Sequence, residues 1–368
     1  MVKHRLRSSR VQVARLLKLL EGQSRAVILL HDNPDPDAMA GGLCLAHLIE
    51  SRLSVKPRIV YGGLIGRADN RYMARALNIP LWLVDSIKFR RDDAVILVDT
   101  QPGFANNSLP PGMLPRAVLD HHAGGDHPRV PLVDVRPAYG AVCSILTEYL
   151  ASADVAVPAD LATAVCYAIA TETQVLGRDA AEADIAAFLH MFPLCDQPLL
   201  GRLRHPPRSL SFLIELDHAL HAARQCDGVV VCHLGPLPAA DSAAEMADVL
   251  AAVEGIEWVL CTGLHEDLLM LSVRTARRDA EAGELLRSVV GERSRAGGHG
   301  MMAGGALRVQ DAAQAEELQE NLTERFLHAL GREGPARLRP LMDVPEARAM
   351  SPQDPGSRAA PEAEEAER

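Results

Sequence analysis

The first half of this 368-residue chain is punctuated by short, unbroken apolar runs, which limit its fold more than any other feature. "AVILL" (26–30), "RIVYG" (58–62), "AVILVD" (94–99), "AVLD" (117–120) and "PLVDV" (131–135) are continuous rather than alternating, and turn residues bound them. Strands buried on both faces read this way, whereas half-solvated strands alternate. Helical stretches lie between or after them, over 38–52, 69–78, 139–152, 159–171 and 180–190. This alternation predicts an α/β fold, a mostly parallel sheet with helices on both faces. Ligands bind beyond the carboxyl ends of the strands in such sheets.

Those ends carry unusual chemistry. The first run leads into "HDNPDPDA", with His31, Asp35 and Asp37. The third ends in Asp99, the fourth in Asp120 followed by His121 and His122, and the fifth carries Asp134. Four strands of one sheet thus finish in acid or histidine, and their side chains can converge on one edge. Crowded carboxylates repel unless something neutralises them. Carboxylate and imidazole donors without a thiolate suit Mn²⁺ or another divalent ion. A carboxylate on a central strand can bridge two such ions, the arrangement that activates water for attack on phosphorus. A lone aspartate at a strand end is more often a helix N-cap, and Asp37 before "AMAGGLCLAHL" could be that alone. Caps do not require neighbouring histidines, so the coincidence across strands favours a metal site.

Composition closes off other classes. A net charge of −10 argues against coating long nucleic acid, and scarce aromatics argue against a broad base-stacking platform. No apolar run approaches the ~20 residues of a membrane helix. The seven cysteines (44, 143, 166, 195, 226, 232, 261) are odd in number and contain no C-x-x-C pair, so they read as core thiols of a reducing cytoplasm. The basic, amphipathic start, "MVKHRLRSSRVQVARLLKLLEG", reads as a surface helix, with a transit peptide as the alternative and no signal peptide expected.

The boundaries expected are a first domain over 1–191, a linker and connecting helix over 192–225, a second α/β domain over 226–341 and a disordered tail over 342–368. In the second domain, "GVVVCHLG" (228–235), "EWVLCTGL" (257–264) and "LLMLSVR" (268–274) read as strands, 239–255 as a helix and "HEDL" as a hairpin turn.

"HDNPDPDA", "VDT" and "DHH", in this order and spacing, resemble the first three motifs of the DHH phosphoesterase family. The stretch 271–308, with Arg274 at a strand end and a later "GGHGMMAGG" containing Gly297, Gly298 and His299, resembles the DHH-associated domain. The subgroup most resembled includes nanoRNases, phosphatases of 3′-phosphoadenosine 5′-phosphate and cyclic-dinucleotide phosphodiesterases. The resemblance implies two Mn²⁺ per chain, with Mg²⁺ or Co²⁺ as alternatives. His31 and Asp35 would hold one, Asp37 and His121 the other, and Asp99 would bridge them. Asp120 would orient an imidazole, and His122 would stand near the scissile phosphate as proton donor. The family's further metal-binding aspartate is matched by Glu172 in "AIATETQVLGR", a departure that reaches one methylene further. Arg274, with its planar fork, and the glycines before His299 would hold substrate phosphate, and the two domains would form a cleft that limits substrate length.

The function implied is Mn²⁺-dependent hydrolysis of short nucleotides by a two-metal activated water, in the cytoplasm. Its partner would be a short single-stranded oligonucleotide or nucleotide, with no membrane, and the chain could form a homodimer. The alternatives are an exopolyphosphatase or pyrophosphatase, and a non-hydrolysing nucleotide sensor whose metal site Glu172 has spoiled. Asp126, His127, His218, His221, His233 and His265 read as solvated or structural, and Arg178 as a further substrate contact.

Overall fold

A computed structural model describes residues 3–343 other than 66, 126, 178–179, 278, 292–295 and 333–334, and omits the side chains at 3, 4, 299 and 336. Nearly all of the tail expected to be disordered, and Asp126 and Arg178 with it, lie outside the described residues. The chain divides into two compact units, 1–207 and 208–368.

The first unit contains strands β1 (Arg25–Leu29), β2 (Lys56–Tyr61), β3 (Leu81–Leu83), β4 (Ala94–Val98), β5 (Ala117–Asp120) and β6 (Leu132–Val135). All pair in parallel, in the order β3-β2-β1-β4-β5-β6. The chain adds strands in one direction from β1 and then returns to β1 to build the other way. The carboxyl ends of β1 and β4 therefore flank the topological switch point, where an open α/β sheet leaves a crevice. Its helices are α1 (Lys3–Leu20), α2 (Pro36–Arg52), α3 (Ala68–Ala76), α4 (Val142–Ser152), α5 (Ala159–Glu172), α6 (Glu182–Met191) and α7 (Gln197–Arg204).

The unbroken apolar runs are buried on both sides, but the two sides are covered differently. Ala26, Ile28, Ile96, Val98 and Leu119 face a large core to which all seven helices contribute. Val27, Leu29, Val60, Val95, Leu97 and Val118 face a smaller core closed by Val84, Ile87, Phe89, Leu109, Met113 and Val130 from connecting segments. Among the described residues, no α-helix joins this second core. The connection from β4 to β5, "TQPGFANNSLPPGMLPR", holds too many glycines, prolines and asparagines to form one.

The structure also turns Asp134 away from the edge where the other strand-end acids converge. Asp134 pairs in register with Leu119, one residue short of the sheet edge, and alternation turns it with Leu132 toward the helices. There Arg136 donates to it from Nε (2.8 Å) and Nη2 (2.7 Å), and the Tyr149 hydroxyl from 2.7 Å. Arg136 also reaches Glu148 (2.8 Å) and Ser9 (3.0 Å), fastening α1 and α4 to β6.

Within 192–225, α7 buries Leu199, Leu200 and Leu203 in the first unit's core, so the division between units falls after it. The second unit contains α8 (Leu210–Ala222), β7 (Arg224–Cys226), β8 (Val229–Pro236), α9 (Ser242–Ala251), β9 (Trp258–His265), β10 (Leu268–Thr275), α10 (Ala282–Val290), β11 (Ala296–His299), β12 (Met302–Arg308), α11 (Ala312–Ala329) and β13 (Arg339–Pro340). Its mixed sheet runs β11-β12-β10-β9-β8-β7-β13, with β8 and β9 parallel across α9 and the other pairs antiparallel. Here α8 and α9 pack one face, α10 and α11 the other. No helix among the described residues is long and apolar enough to cross a membrane.

Removing Arg136 leaves Asp134 and Glu148 buried without their cation. Arg136→Ala is therefore expected to destabilise the first unit by about 3 kcal/mol in denaturant unfolding. Asp134→Asn should leave Mn²⁺ binding by calorimetry unchanged, and a lost site would make Asp134 a metal ligand.

Candidate metal centre

The side chains at the switch point are positioned by ordinary backbone chemistry. Asp35 is the N-cap of α2: its Oδ1 accepts from the amides of Asp37 (2.9 Å) and Ala38 (3.0 Å), and Pro36 opens the helix. Asp37, one turn position on, is almost fully buried and caps a different helix. Its two oxygens accept from the amides of Val142 (2.6 Å) and Cys143 (3.0 Å), at the start of α4, whose own cap residue Ala141 offers no side-chain bond. These amides carry the positive end of the helix dipole and favour an ionised carboxylate.

Asp99 follows β4 in the left-handed region, φ 61°, a conformation that aspartate tolerates better than most residues. The turn sets its carboxylate between two imidazoles. His31 Nε2 lies 3.5 Å from Oδ2, and His121 Nε2 lies 3.5 Å from Oδ1. His31 Nε2 is also 3.8 Å from Asp35, and His121 Nε2 3.9 Å from Asp37. In both rings Nδ1 faces a backbone carbonyl, of Asp32 (2.9 Å) for His31 and of Tyr139 (3.1 Å) for His121. An Nδ1–H donated there leaves Nε2 with a lone pair toward the carboxylates, the form a metal ion requires.

Two observations say that this cluster accommodates a cation. Asp99 is 2% exposed, yet its Oδ1 has no hydrogen-bond partner among the described residues. A buried unpaired carboxylate oxygen is costly unless something neutralises it. Further, two overlapping sets, His31–Asp35–Asp99 and Asp99–His121–His122, bring ligand atoms within 4.8 Å of one another, with Asp99 common to both.

Without a cation, protons fill the same role. Burial opposes a charge on His31, but Asp35 and Asp99 push its pKa up to about 12. The hydrogen bond to Asp120 pushes His122 up to about 9. Burial and the charge of Asp99 push Asp37 up to about 7. Burial and the charges of Asp35, Asp37 and Asp99 push Glu172 up to about 9, so Glu172 stands beside the cluster without belonging to either three-residue set. Beyond Thr173, which follows it, Gln174, Val175 and Leu176 have φ of 48°, 59° and 63°, three consecutive left-handed residues of which none is glycine. Strain of this kind concentrates at functional segments.

Asp120 is fully buried and holds His122: its Oδ1 accepts from His122 Nδ1 at 2.9 Å and from the amides of His121 (2.7 Å) and His122 (3.2 Å). Sequence reasoning missed Gln101, which donates to the other oxygen of Asp120 (2.8 Å), and treated His127 as solvated although it bonds Gln101 at 3.0 Å. The signal was the amide-rich run after "VDT", "QPGFANNS".

In the second unit the outcome differs. Arg274 is 7% exposed, and its guanidinium turns inward: Nε pairs with Asp248, and Nη1 donates to Ser272 Oγ (2.9 Å) and the Val273 carbonyl (3.0 Å). A side chain held this way does not present the free fork expected for phosphate. Gly297 and Gly298 lie on β11 of an exposed hairpin. Gly298, at φ 146°, requires glycine because a Cβ would sit 2.3 Å from the Met302 carbonyl oxygen, whereas a Cβ at Gly297 would meet nothing within 4 Å. The side chain of His299 lies outside the described residues. His233 is structural: it bonds Thr262 (2.7 Å) and Thr323 (3.0 Å).

No family model matches the sequence. An uncharacterized protein of Methanocaldococcus jannaschii is 31% identical over 314 residues, covering 84% of this chain and 64% of the relative, so this chain spans less than two thirds of that protein. Among solved structures, an exopolyphosphatase-related protein from Bacteroides fragilis matches with a TM-score of 0.63 at 14% identity, over 87% of this chain and 98% of that one. The exonuclease RecJ bound to manganese matches with a TM-score of 0.50 at 18% identity, over 91% and 98%. At these identities the likeness is one of fold.

The raised pKa values fix the sign of a pH dependence. Each such group binds protons more tightly folded than unfolded, so its stabilising contribution is complete at low pH and is lost as pH rises: for Asp37 from 3.8 to about 7, for Glu172 from 4.5 to about 9, for His122 from 6.5 to about 9. Thermal unfolding of chelator-treated protein should show the melting temperature falling across this range. Saturating Mn²⁺ should flatten the slope and release protons on binding. A metal-free stability that rises with pH would contradict this reading.

Proposed function

We propose that this chain is a divalent-metal-dependent phosphoesterase of the DHH type that hydrolyses short nucleotides. The observation that carries the reading is Asp99: a buried carboxylate with an unpaired oxygen, flanked by imidazole Nε2 atoms at 3.5 Å on either side. His31 and Asp35 would hold one ion, Asp37 and His121 a second, and Asp99 would bridge them, with Mn²⁺ preferred for this oxygen and nitrogen donor set. The ions would neutralise charge developing on phosphoryl oxygens and make water nucleophilic at neutral pH. Asp120 holds the His122 ring by its Nδ1 and favours the protonated imidazole, the form a donor to a leaving oxygen must take. Glu172 would add charge beside the second ion. The exposed hairpin with Gly297, Gly298 and His299 is the proposed holder of substrate phosphate, through backbone amides.

One observation favours a second substrate class. The inward pairing of Arg274 removes the clearest reason for preferring a nucleotide over polyphosphate. The deciding assay uses Mn²⁺ with short RNA, 3′-phosphoadenosine 5′-phosphate, cyclic dinucleotides and polyphosphate. Turnover of the nucleotides is the expected result, turnover of polyphosphate alone selects the second class, and bound Mn²⁺ with no turnover of any would sink the phosphoesterase reading. Asp99→Ala should abolish turnover of whichever phosphoester the wild-type protein hydrolyses. An active Asp99→Ala protein would refute the bridging role.

A further inference from the structure

The segment after β4 holds a buried amide that the metal-ligand set leaves without a role. Gln101 is fully buried, two residues beyond Asp99. Its Nε2 donates to Asp120 Oδ2 and to the His122 carbonyl, both at 2.8 Å, and its Oε1 accepts from His127 Nε2 at 3.0 Å. These partners use both amide hydrogens and the carbonyl, so one orientation of the amide satisfies all three. The backbone has been shaped around the contact. Gly125, at φ 69°, passes where a Cβ would lie 2.2 Å from His127 Nε2 and 2.5 Å from Gln101 Oε1.

The contact matters because the His122 ring has a choice of acceptor. Its Nδ1 lies 2.9 Å from Asp120 Oδ1 and 3.6 Å from Asp99 Oδ1, the atom without a hydrogen-bond partner. Asp120 competes successfully only while its carboxylate plane is fixed. Backbone amides hold one of its oxygens, and Gln101 is the side chain that holds the other. We propose that Gln101 is a positioning residue that fixes Asp120, and through it the His122 imidazole, with His127 locking the amide in its orientation. The kinetic consequence rests on the phosphoesterase reading, whereas the structural consequence does not.

Gln101→Leu keeps the volume and removes all three hydrogen bonds. With whichever phosphoester the wild-type protein turns over, kcat should fall roughly 10- to 100-fold. KM should stay within about threefold, since the loss falls on the reacting group rather than on binding. His127→Phe, which unlocks the amide but leaves its donors, should lose less. An independent readout is ¹⁵N-edited NMR of the imidazoles in metal-free protein. The His122 Nδ1–H signal should shift or vanish in Gln101→Leu, while those of His31 and His121 stay in place. Unchanged His122 signals with kcat within about threefold of wild type overturn the proposal. So does a uniform shift of all three imidazoles together with a lowered melting temperature, because that marks a general loosening of the loop. If the wild-type protein hydrolyses no phosphoester, the phosphoesterase reading fails, and the imidazole spectra alone decide the role of Gln101.

Discussion

The first unit is organised around one carboxylate that the protein does not satisfy. Asp99 is buried, turned back by a left-handed backbone and set between the Nε2 atoms of His31 and His121, with Oδ1 unpaired. Its imidazole neighbours turn Nε2 toward it at 3.5 Å, too far for a well-formed hydrogen bond, and spend Nδ1 elsewhere. His31 and His121 face backbone carbonyls with Nδ1, and His122 faces Asp120. A buried anion without a hydrogen bond calls for a positive charge beside it, whether a bound proton or a metal ion.

The fold explains why the charges meet there. Strand order reverses between β1 and β4, so the segments after both strands open into the same crevice, and β5 adds Asp120, His121 and His122 beside them. Helix N-termini then orient two of the acids. The first turn of α2 is capped by Asp35, and the start of α4 is capped by Asp37 from another helix. Two of the acids thus have structural work of their own, and Asp37 caps a helix other than the one it opens.

What was legible in the sequence followed from periodicity and end chemistry. Unbroken apolar runs announced strands buried on both faces, and β5 was read to the residue. The convergence of His31, Asp35, Asp37, Asp99, His121 and His122 was legible because parallel strands share an edge. That Asp134 turns away from this edge was not legible, since its placement depends on a register offset with β5 that the sequence does not carry. The covering of one sheet face by loops, the inward turn of Arg274 toward Asp248 and the left-handed run at Gln174–Leu176 depend likewise on tertiary contacts. Gln101 was hidden for a simpler reason: an uncharged amide draws no notice in a search for charges, although it connects two of them.

The most direct test of the proposed centre is a crystal structure of the Mn²⁺-soaked protein, with anomalous scattering recorded at the manganese edge. Two peaks flanking the Asp99 carboxylate, one beside His31 and Asp35 and the other beside His121 and Asp37, are the predicted result. A single peak, or none at Asp99 in protein that binds Mn²⁺ elsewhere, would contradict it.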